Sequence, residues 1–498
     1  MTWLSFPPPF ILLVPILFLA TLIIFKRSNP FSSSSLNLPP RPPPLPIIGN
    51  LHQVGVLSHN SLWSLSKTYG PLMHLRLGSV PTLVVSSAKL AREVMKHQDL
   101  NFCSRPSFVS QKRLSYNFSD IGFAPYGEYW KEKRKVCMVE LFCPKRIESF
   151  GFIREEEVAR MIESISKSCS YFKPINLSDM LLTLTSNIIY RAAFGKSYKK
   201  GAENSDFYKV FEDAQALLVA FFIADFIPWL GWIDKLTGQQ AWLEKNFFDL
   251  DAFYDQVIDE HLDPKRPRQE HEDFLDGLIQ VQKDLNLTRD HIKGVLMNII
   301  IAGTDTSAAT VVWAMSELIR NPGIMKTVQD EVRRVIGSKK KVEESDLAQL
   351  QYLKLVLKET FRLHPPVPLL LPRETIRHCM INGYDILPKT LVFVNAAATG
   401  RDPECWKNPD EFMPERFVDS EVDYKGQHFE LIPFGAGRRI CPGILFGTAV
   451  VELTMANLLY YFNWEFPSGM NTQNMDMSEA PGITTSKKTD LLLVATKL

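Results

Sequence analysis

The stretch Phe434, Gly435, Ala436, Gly437, Arg438, Arg439, Ile440, Cys441, Pro442 and Gly443 decides how this chain is read. Its glycines let the backbone turn close to a bulky ligand, and main-chain amides beside a cysteine can hydrogen-bond a thiolate. Arg439 stands two residues before the cysteine, well placed to meet a negative group. The apolar run from Ile444 is helical in character, so the cysteine lies on a loop that leads into a helix. A thiolate on iron donates electron density and favours cleavage of an O–O bond. Taken in isolation, the same arginine-bearing loop would serve equally as an anion nest for a phosphate.

The other cysteines, Cys103, Cys137, Cys143, Cys169, Cys379 and Cys405, form no C-x-x-C pair and bring the total to an odd seven. That pattern excludes a disulfide framework and a zinc knuckle, and fits small buried apolar residues in a reducing compartment.

Further out, Glu359 and Arg362 are three residues apart and so share a helical face, as many solvated surface pairs do. Ala302, Gly303, Thr304, Asp305, Thr306 and Ser307 interrupt the long apolar run from Ile292 with residues of poor helix propensity. Such a local violation marks either a functional site or a kink in which hydroxyls bond back to carbonyls. Trp130 and Arg134 are one helical turn apart, with Lys131, Lys133 and Lys135 interleaved as a charged face.

The pattern Phe434-x-x-Gly437-x-Arg439-x-Cys441-x-Gly443 resembles, at every fixed position, the haem-binding loop of the cytochrome P450 family, and the other motifs follow in the expected order over essentially the whole chain. The resemblance implies a mainly α fold with a small β region and one catalytic domain. It implies haem b (iron protoporphyrin IX) with Cys441 as the metal ligand, and cofactor contacts from Trp130, Arg134, Arg373, Phe434, Arg439 and Gly443. It makes Glu359, Arg362 and Arg416 a buried structural triad, Arg416 coming from Pro414-Glu415-Arg416-Phe417. Thr306 and Asp305 become the catalytic pair that manages protons, since oxygen activation consumes two and a hydroxyl beside an acid can relay them. Substrate contacts are expected at Phe118, Ile121, Ala302, Val367, Leu369 and Ile483, an apolar set that suits a hydrophobic molecule positioned by shape. Asp225 is either a polar contact among them or a solvent-facing loop acid. Electrons would come from NADPH through NADPH-cytochrome P450 reductase, docked on a basic surface that includes the lysines around Arg134, with cytochrome b5 as a further donor. The motifs look like those of the plant A-type enzymes of the seventy-one clan, which work mostly in specialised metabolism on terpenoids, phenolics and amino-acid-derived compounds. One departure is Ala397, where a tryptophan is expected.

Residues 1–27 carry no charge before Lys26 and Arg27 and are apolar enough to span a bilayer, so they read as a transmembrane anchor with the body on the cytosolic side. The basic pair follows the apolar run, unlike in a cleaved signal peptide. An endoplasmic reticulum membrane fits this arrangement. The Ser- and Pro-rich segment 28–50 reads as a semi-rigid spacer and 51–498 as the catalytic domain. Asn117, Asn176 and Asn286 begin glycosylation sequons that a cytosolic body leaves unmodified. Within the body, Ser61 to Tyr69, Ile153 to Lys167, Leu243 to Leu262, Ile292 to Arg320 and Val450 to Phe462 read as helices. Leu72 to Leu77 with Thr82 to Val85, Arg377 to Ile386 around Asn382-Gly383, and Leu391 to Val394 read as strands.

With 45% hydrophobic and 22% charged residues and a formal net charge of +1, the 498-residue chain is an ordinary globular mix with no global pull toward nucleic acid. The leading expectation is a membrane-anchored monooxygenase that inserts one oxygen atom from O2 into a hydrophobic small molecule. Two alternatives stay open: a reductase-independent dehydratase or isomerase on the same fold, and a non-catalytic haem-binding protein. No flavin or nicotinamide motif is present to supply electrons internally.

Overall fold

The computed structural model describes residues 36–169, 173–197, 205–267, 270–283, 285–339, 341–467 and 475–498. The expected anchor at 1–27 and the first part of the spacer lie outside the described residues. The main helices are α1 (Ser58–Tyr69), α2 (Glu128–Val136), α3 (Gly151–Cys169), α4 (Leu177–Phe194), α5 (Ser205–Val219), α6 (Gln239–Leu262), α7 (Arg289–Arg320), α8 (Pro322–Ile336), α9 (Gln351–Leu363) and α10 (Ile444–Tyr461). They pack around one large apolar core.

α7 is the axis of that core. Thr288 and His291 form a capping box at its start, each satisfying the other's main-chain N–H (3.3 and 3.0 Å). It ends at Asn321, before Pro322 opens α8 at a position where a missing N–H costs nothing. Most of its residues are buried whichever way they point, as expected of a helix surrounded by protein. Among the described residues, α7 and α10 are long and apolar enough to cross a membrane by length and composition, and most of each apolar stretch is buried in the fold. The poor helix formers at Gly303, Thr304 and Asp305 leave α7 unbroken. A Cβ on Gly303 would lie 2.3 Å from the Ile189 side chain of α4, so the glycine is what lets the two helices approach.

The sheet is small and lies to one side. β1 (Leu72–Leu77) and β2 (Val80–Val85) form a hairpin. β2 then pairs in parallel with β7 (Leu391–Val394), and β7 pairs with β4 (Arg373–Glu374). β5 (Cys379–Ile381) and β6 (Tyr384–Ile386) make the hairpin signalled by Asn382-Gly383, both in the left-handed region. A separate sheet joins β3 (Ile175–Asn176), β9 (Leu492–Lys497) and β8 (Phe462–Glu465), which the sequence reading did not foresee.

Residues 36–50 are docked on the body instead of forming a free spacer. His74 N donates to Pro40 O (3.0 Å), Asn37 pairs with Asp385 and Gly383, and Asn50 ties the Pro42 carbonyl to β1 through Arg76 N (2.8 Å). A proline-rich strand lacks donors of its own, so its carbonyls take hydrogen bonds from neighbours.

Candidate functional site

The cysteine loop is held by its own hydrogen bonds. Cys441 N donates to Phe434 O (2.9 Å), closing the loop, and the Cys441 sulfur takes the Gly443 N–H. Gly437 has φ +68° and a Cβ there would come 2.3 Å from Met95 O, so no other residue fits without displacing the neighbouring segment. Burial pushes the Cys441 thiol pKa up, while the Gly443 N–H and the Arg134 charge work in the opposite sense. Phe434 packs against Phe361 of α9 (5.2 Å between ring centroids) and Tyr424 (5.5 Å).

Beside the loop lies a cluster of cations short of anions. Arg439 stacks over Trp130 at 4.0 Å and donates to Cys103 O (2.8 Å) and Ala124 O (2.7 Å), yet its third nitrogen, Nη1, is buried with no partner. Arg373 is paired with Asp99 (3.0 Å) and donates to Ala436 O (2.9 Å). Arg134 donates to Ile440 O, and Trp130 Nε1 to Ile121 O (2.9 Å). Arg105, which the sequence reading overlooked, is buried and holds the carbonyls of Gly122, Leu371 and Pro372 at 2.6 to 3.0 Å. Among the described residues, the buried acids that act on these guanidinium groups are Asp99 and Asp120, and burial raises the Asp120 pKa. Burial pushes Arg439 down to about 9, with Cys103 working against it and repulsion from Arg373 and Arg134 adding to it. A guanidinium does not lose its proton in proteins, so this position is built for a negative partner.

On α7, Asn298, Ala302 and Thr306 share one face at four-residue spacing. Asn298 Oδ1 accepts from Ile121 N (3.1 Å) and Gly122 N (2.9 Å), which fixes the segment whose carbonyls Trp130 and Arg105 hold against the helix. Ala302 is exposed within this otherwise buried helix, so the stripe faces open space. The Thr306 hydroxyl donates to Ala302 O (2.7 Å), the back-bonding that the composition allowed. Asp305 points to a different face and bonds to Gln215 and Thr304. The acid and the hydroxyl are thus adjacent in sequence but do not touch.

Glu359 and Arg362 are completely buried and joined by two hydrogen bonds (2.7 and 2.8 Å), with Arg416 on the same carboxylate at 2.9 Å. Arg362 also holds Gly400 O, Pro409 O and Glu411 O. All three residues therefore meet, and their helix carries Phe361 onto Phe434.

The expected substrate positions come from separate segments. Ile121 is buried and pinned from two sides, and Phe118 ends a run of three left-handed residues, Tyr116, Asn117 and Phe118 (φ 53°, 57° and 65°). Val367 is half-buried beside the 482–485 turn that carries Ile483, joined by Thr485 N to Pro366 O (2.8 Å). Leu369 is half-buried and packs against the small core beneath β1. Asp225 is not a free acid: its Oδ1 accepts Val109 N (2.8 Å), and burial, then the charge of Asp234, pushes it up to about 7. Lys133 is not part of a basic surface, because its ammonium is turned inward onto Leu285 O (3.3 Å). Ala397 sits in a short buried helix capped by Asn395, with its N–H on Pro368 O (3.2 Å), so packing there is intact without a tryptophan.

A cysteine on a glycine loop, an anion-hungry arginine cluster and a helix that opens an inner face beside them define a haem-thiolate oxygenase. Residues 39–494 match the family model for cytochrome P450. The chain is 50% identical over 484 residues to cytochrome P450 71B26 of Arabidopsis thaliana, covering 96% of each. It is 51% identical to cytochrome P450 71A9 of Glycine max (96% and 97%) and 49% identical to strychnine-11-hydroxylase of Strychnos nux-vomica (98% and 97%). A zebra fish cytochrome P450 structure with abiraterone superposes with a TM-score of 0.73 at 25% identity, covering 89% of this chain and all of that one. The chain belongs to the cytochrome P450 family, within the plant A-type seventy-one clan. It is a haem b-dependent monooxygenase that uses O2 and acts on a hydrophobic plant metabolite.

Proposed function

We propose that Cys441 would hold the haem iron through its thiolate and that Arg439, with Arg105, Arg134 and Arg373, would hold the haem propionates. The observation that carries this is the buried, unpartnered Nη1 of Arg439 in a cluster of four guanidiniums against two acids, a deficit that two propionates balance. The chemistry the haem supplies is dioxygen activation. Around it, the Gly443 N–H and the Arg134 charge favour the thiolate against the burial that disfavours it. Ala302 leaves room on α7, Thr306 Oγ1 holds a proton-relaying water, and Asp305 is the acid behind it. Ile121, Phe118, Val367 and Ile483 form an apolar rim that orients substrate by shape and excludes bulk water. The Glu359, Arg362 and Arg416 triad braces Phe361 and, through it, Phe434 and the cysteine loop.

Residues 1–27 anchor the chain in the endoplasmic reticulum membrane as a single pass, 28–50 connect it, and 51–498 form the cytosolic catalytic domain. Exposed Phe221, Trp229, Trp232 and Leu236 support contact with the bilayer. They lie near the β1–β2 turn, where Ser79 N donates to Phe226 O (2.7 Å) and Gly78 N to Ile48 O (3.0 Å), so this apolar surface lies at the same end as Ile48 of the docked proline-rich segment. NADPH-cytochrome P450 reductase, with cytochrome b5 as a second donor, docks beside α2, where Lys131 and Lys135 are exposed next to Met138 and Val139.

The test is the full chain in microsomes with the reductase, NADPH and isotopically labelled dioxygen, against a panel of plant alkaloids, terpenoids, phenolics and oximes. One labelled oxygen atom in a product that disappears without reductase is the expected result. Product formed without NADPH identifies a dehydratase or isomerase instead, and haem-loaded protein with no turnover on any compound identifies a carrier.

A further inference from the structure

A cleft of about 350 Å³ opens on the face of α7 next to the Ala302 and Thr306 stripe, between α4, α5 and the C-terminal loop. Asp305 is on its wall, one helical step of about 100° from Thr306, and so stands between the cleft and the site. Across from it, Glu212 and Gln215 are three residues apart on one face of α5, and Gln215 Nε2 donates to Thr304 Oγ1 (3.3 Å) while also bonding Asp305. The other titratable groups on the wall are Asp179 and Tyr190 from α4, and Lys487 and Asp490 from the loop. Lys487 donates to Thr489 (2.8 Å) and Asp490 accepts from Asn176 (2.6 Å), and of these groups it is Glu212 whose charge acts on Asp305.

We propose that this cleft is where protons enter the enzyme, and that Glu212 and Gln215 are positioning residues that set how tightly Asp305 holds its proton. The inference rests on Asp305 and Thr306 being the proton-handling pair. In the step, the O–H bond of the Asp305 carboxyl breaks and the proton passes to water hydrogen-bonded toward Thr306 Oγ1. The carboxylate then recovers a proton from cleft water, and the hydroxide left behind is neutralised by bulk buffer. No electron moves. Burial above all raises the Asp305 pKa; the hydrogen bond from Gln215 lowers it, the charge of Glu212 raises it again, and the balance is about 6. A carboxyl poised there can both give up and regain a proton near neutral pH. The two α5 residues act in opposite senses, so they have opposite signatures.

The experiment is an infrared titration of the ferric holoenzyme, with the protonated carboxyl band assigned by its loss in Asp305→Asn. Glu212→Gln should move the midpoint to lower pH and Gln215→Leu to higher pH, each by about half a unit, a roughly threefold change in proton affinity. The band should also shift to its deuterated position as soon as the enzyme is mixed into heavy water. Midpoints that stay put or move in the same direction, or slow deuteration, overturn the proposal. The peroxide released per NADPH by the reductase-reconstituted enzyme is measured alongside. If Asp305→Asn leaves it unchanged, the proton-handling pair itself is wrong and the proposal falls with it; if it rises while the midpoints do not move, only the roles of Glu212 and Gln215 fail.

Discussion

At the scale of single residues, the site is a problem in placing charge. Arg439 gives the plainest prediction: Arg439→Met removes a charge-assisted hydrogen bond worth about 1.5–3 kcal/mol, so haem affinity falls roughly 10- to 100-fold, measured by haem transfer to an apo-globin acceptor. Transfer at the wild-type rate would mean that the propionates sit elsewhere. Thr306→Ala should lower product formation on the order of a hundredfold while NADPH consumption continues as peroxide release. Asp305 also carries a pH signature. Its pKa rises from 3.8 toward about 6 on folding, so the folded state binds the proton more tightly and loses stability relative to the unfolded chain as pH climbs through that interval. Asp305→Asn should therefore unfold at a higher temperature than wild type above pH 6, an advantage that disappears below about pH 4. Cys441 and Arg439 were legible in the sequence because a single loop carries both at fixed spacing. Arg105 was not, because its partners are the carbonyls of Gly122, Leu371 and Pro372, and nothing local marks an arginine that will be surrounded by distant main chain. The separation of Asp305 from Thr306 follows from helical geometry, in which neighbours in sequence face different ways.

At the scale of elements, the close crossing of α4 and α7 sets the site. Gly303→Ala forces a Cβ onto Ile189 and should cost about 1–3 kcal/mol by thermal unfolding. In the double mutant with Ile189→Ala the two losses should add to less than their sum, with a coupling of about 0.5–3 kcal/mol. Full additivity would mean that the glycine serves something other than packing. The triad belongs to this scale too. Arg362→Ala leaves the buried Glu359 carboxylate with Arg416 as its remaining cation beside the Met413 N–H, and strips Gly400, Pro409 and Glu411 of a donor, a loss of about 3–5 kcal/mol. Soluble, haem-loaded protein at wild-type yield would contradict a bracing role. The long helices and the hairpins were readable because their periodicity is local. The β3–β9–β8 sheet was hidden because Phe462–Glu465 continues an apolar helical run without punctuation and its partner strand is far along the chain. Asp225 was hidden likewise: only the fold brings Val109 to it.

At the scale of the whole molecule, the fold sorts its surfaces. The aromatic loop at Phe221 to Leu236 shares an end with the docked proline segment, and α2 presents exposed Lys131 and Lys135. A form lacking residues 1–35 should still bind lipid vesicles, and Trp229→Ser with Trp232→Ser should weaken that binding by roughly tenfold or more in a flotation assay, since interfacial tryptophans anchor in the headgroup region. Unchanged flotation would assign the patch another partner. All of these surfaces serve one centre, and its most direct test is spectroscopic. The reduced wild-type protein under carbon monoxide should give the red-shifted Soret band of a thiolate-ligated haem, and Cys441→Ala should lose that band even where haem is still bound. Persistence of the thiolate band in Cys441→Ala, or its absence from wild type with full haem content, would contradict the assignment of Cys441.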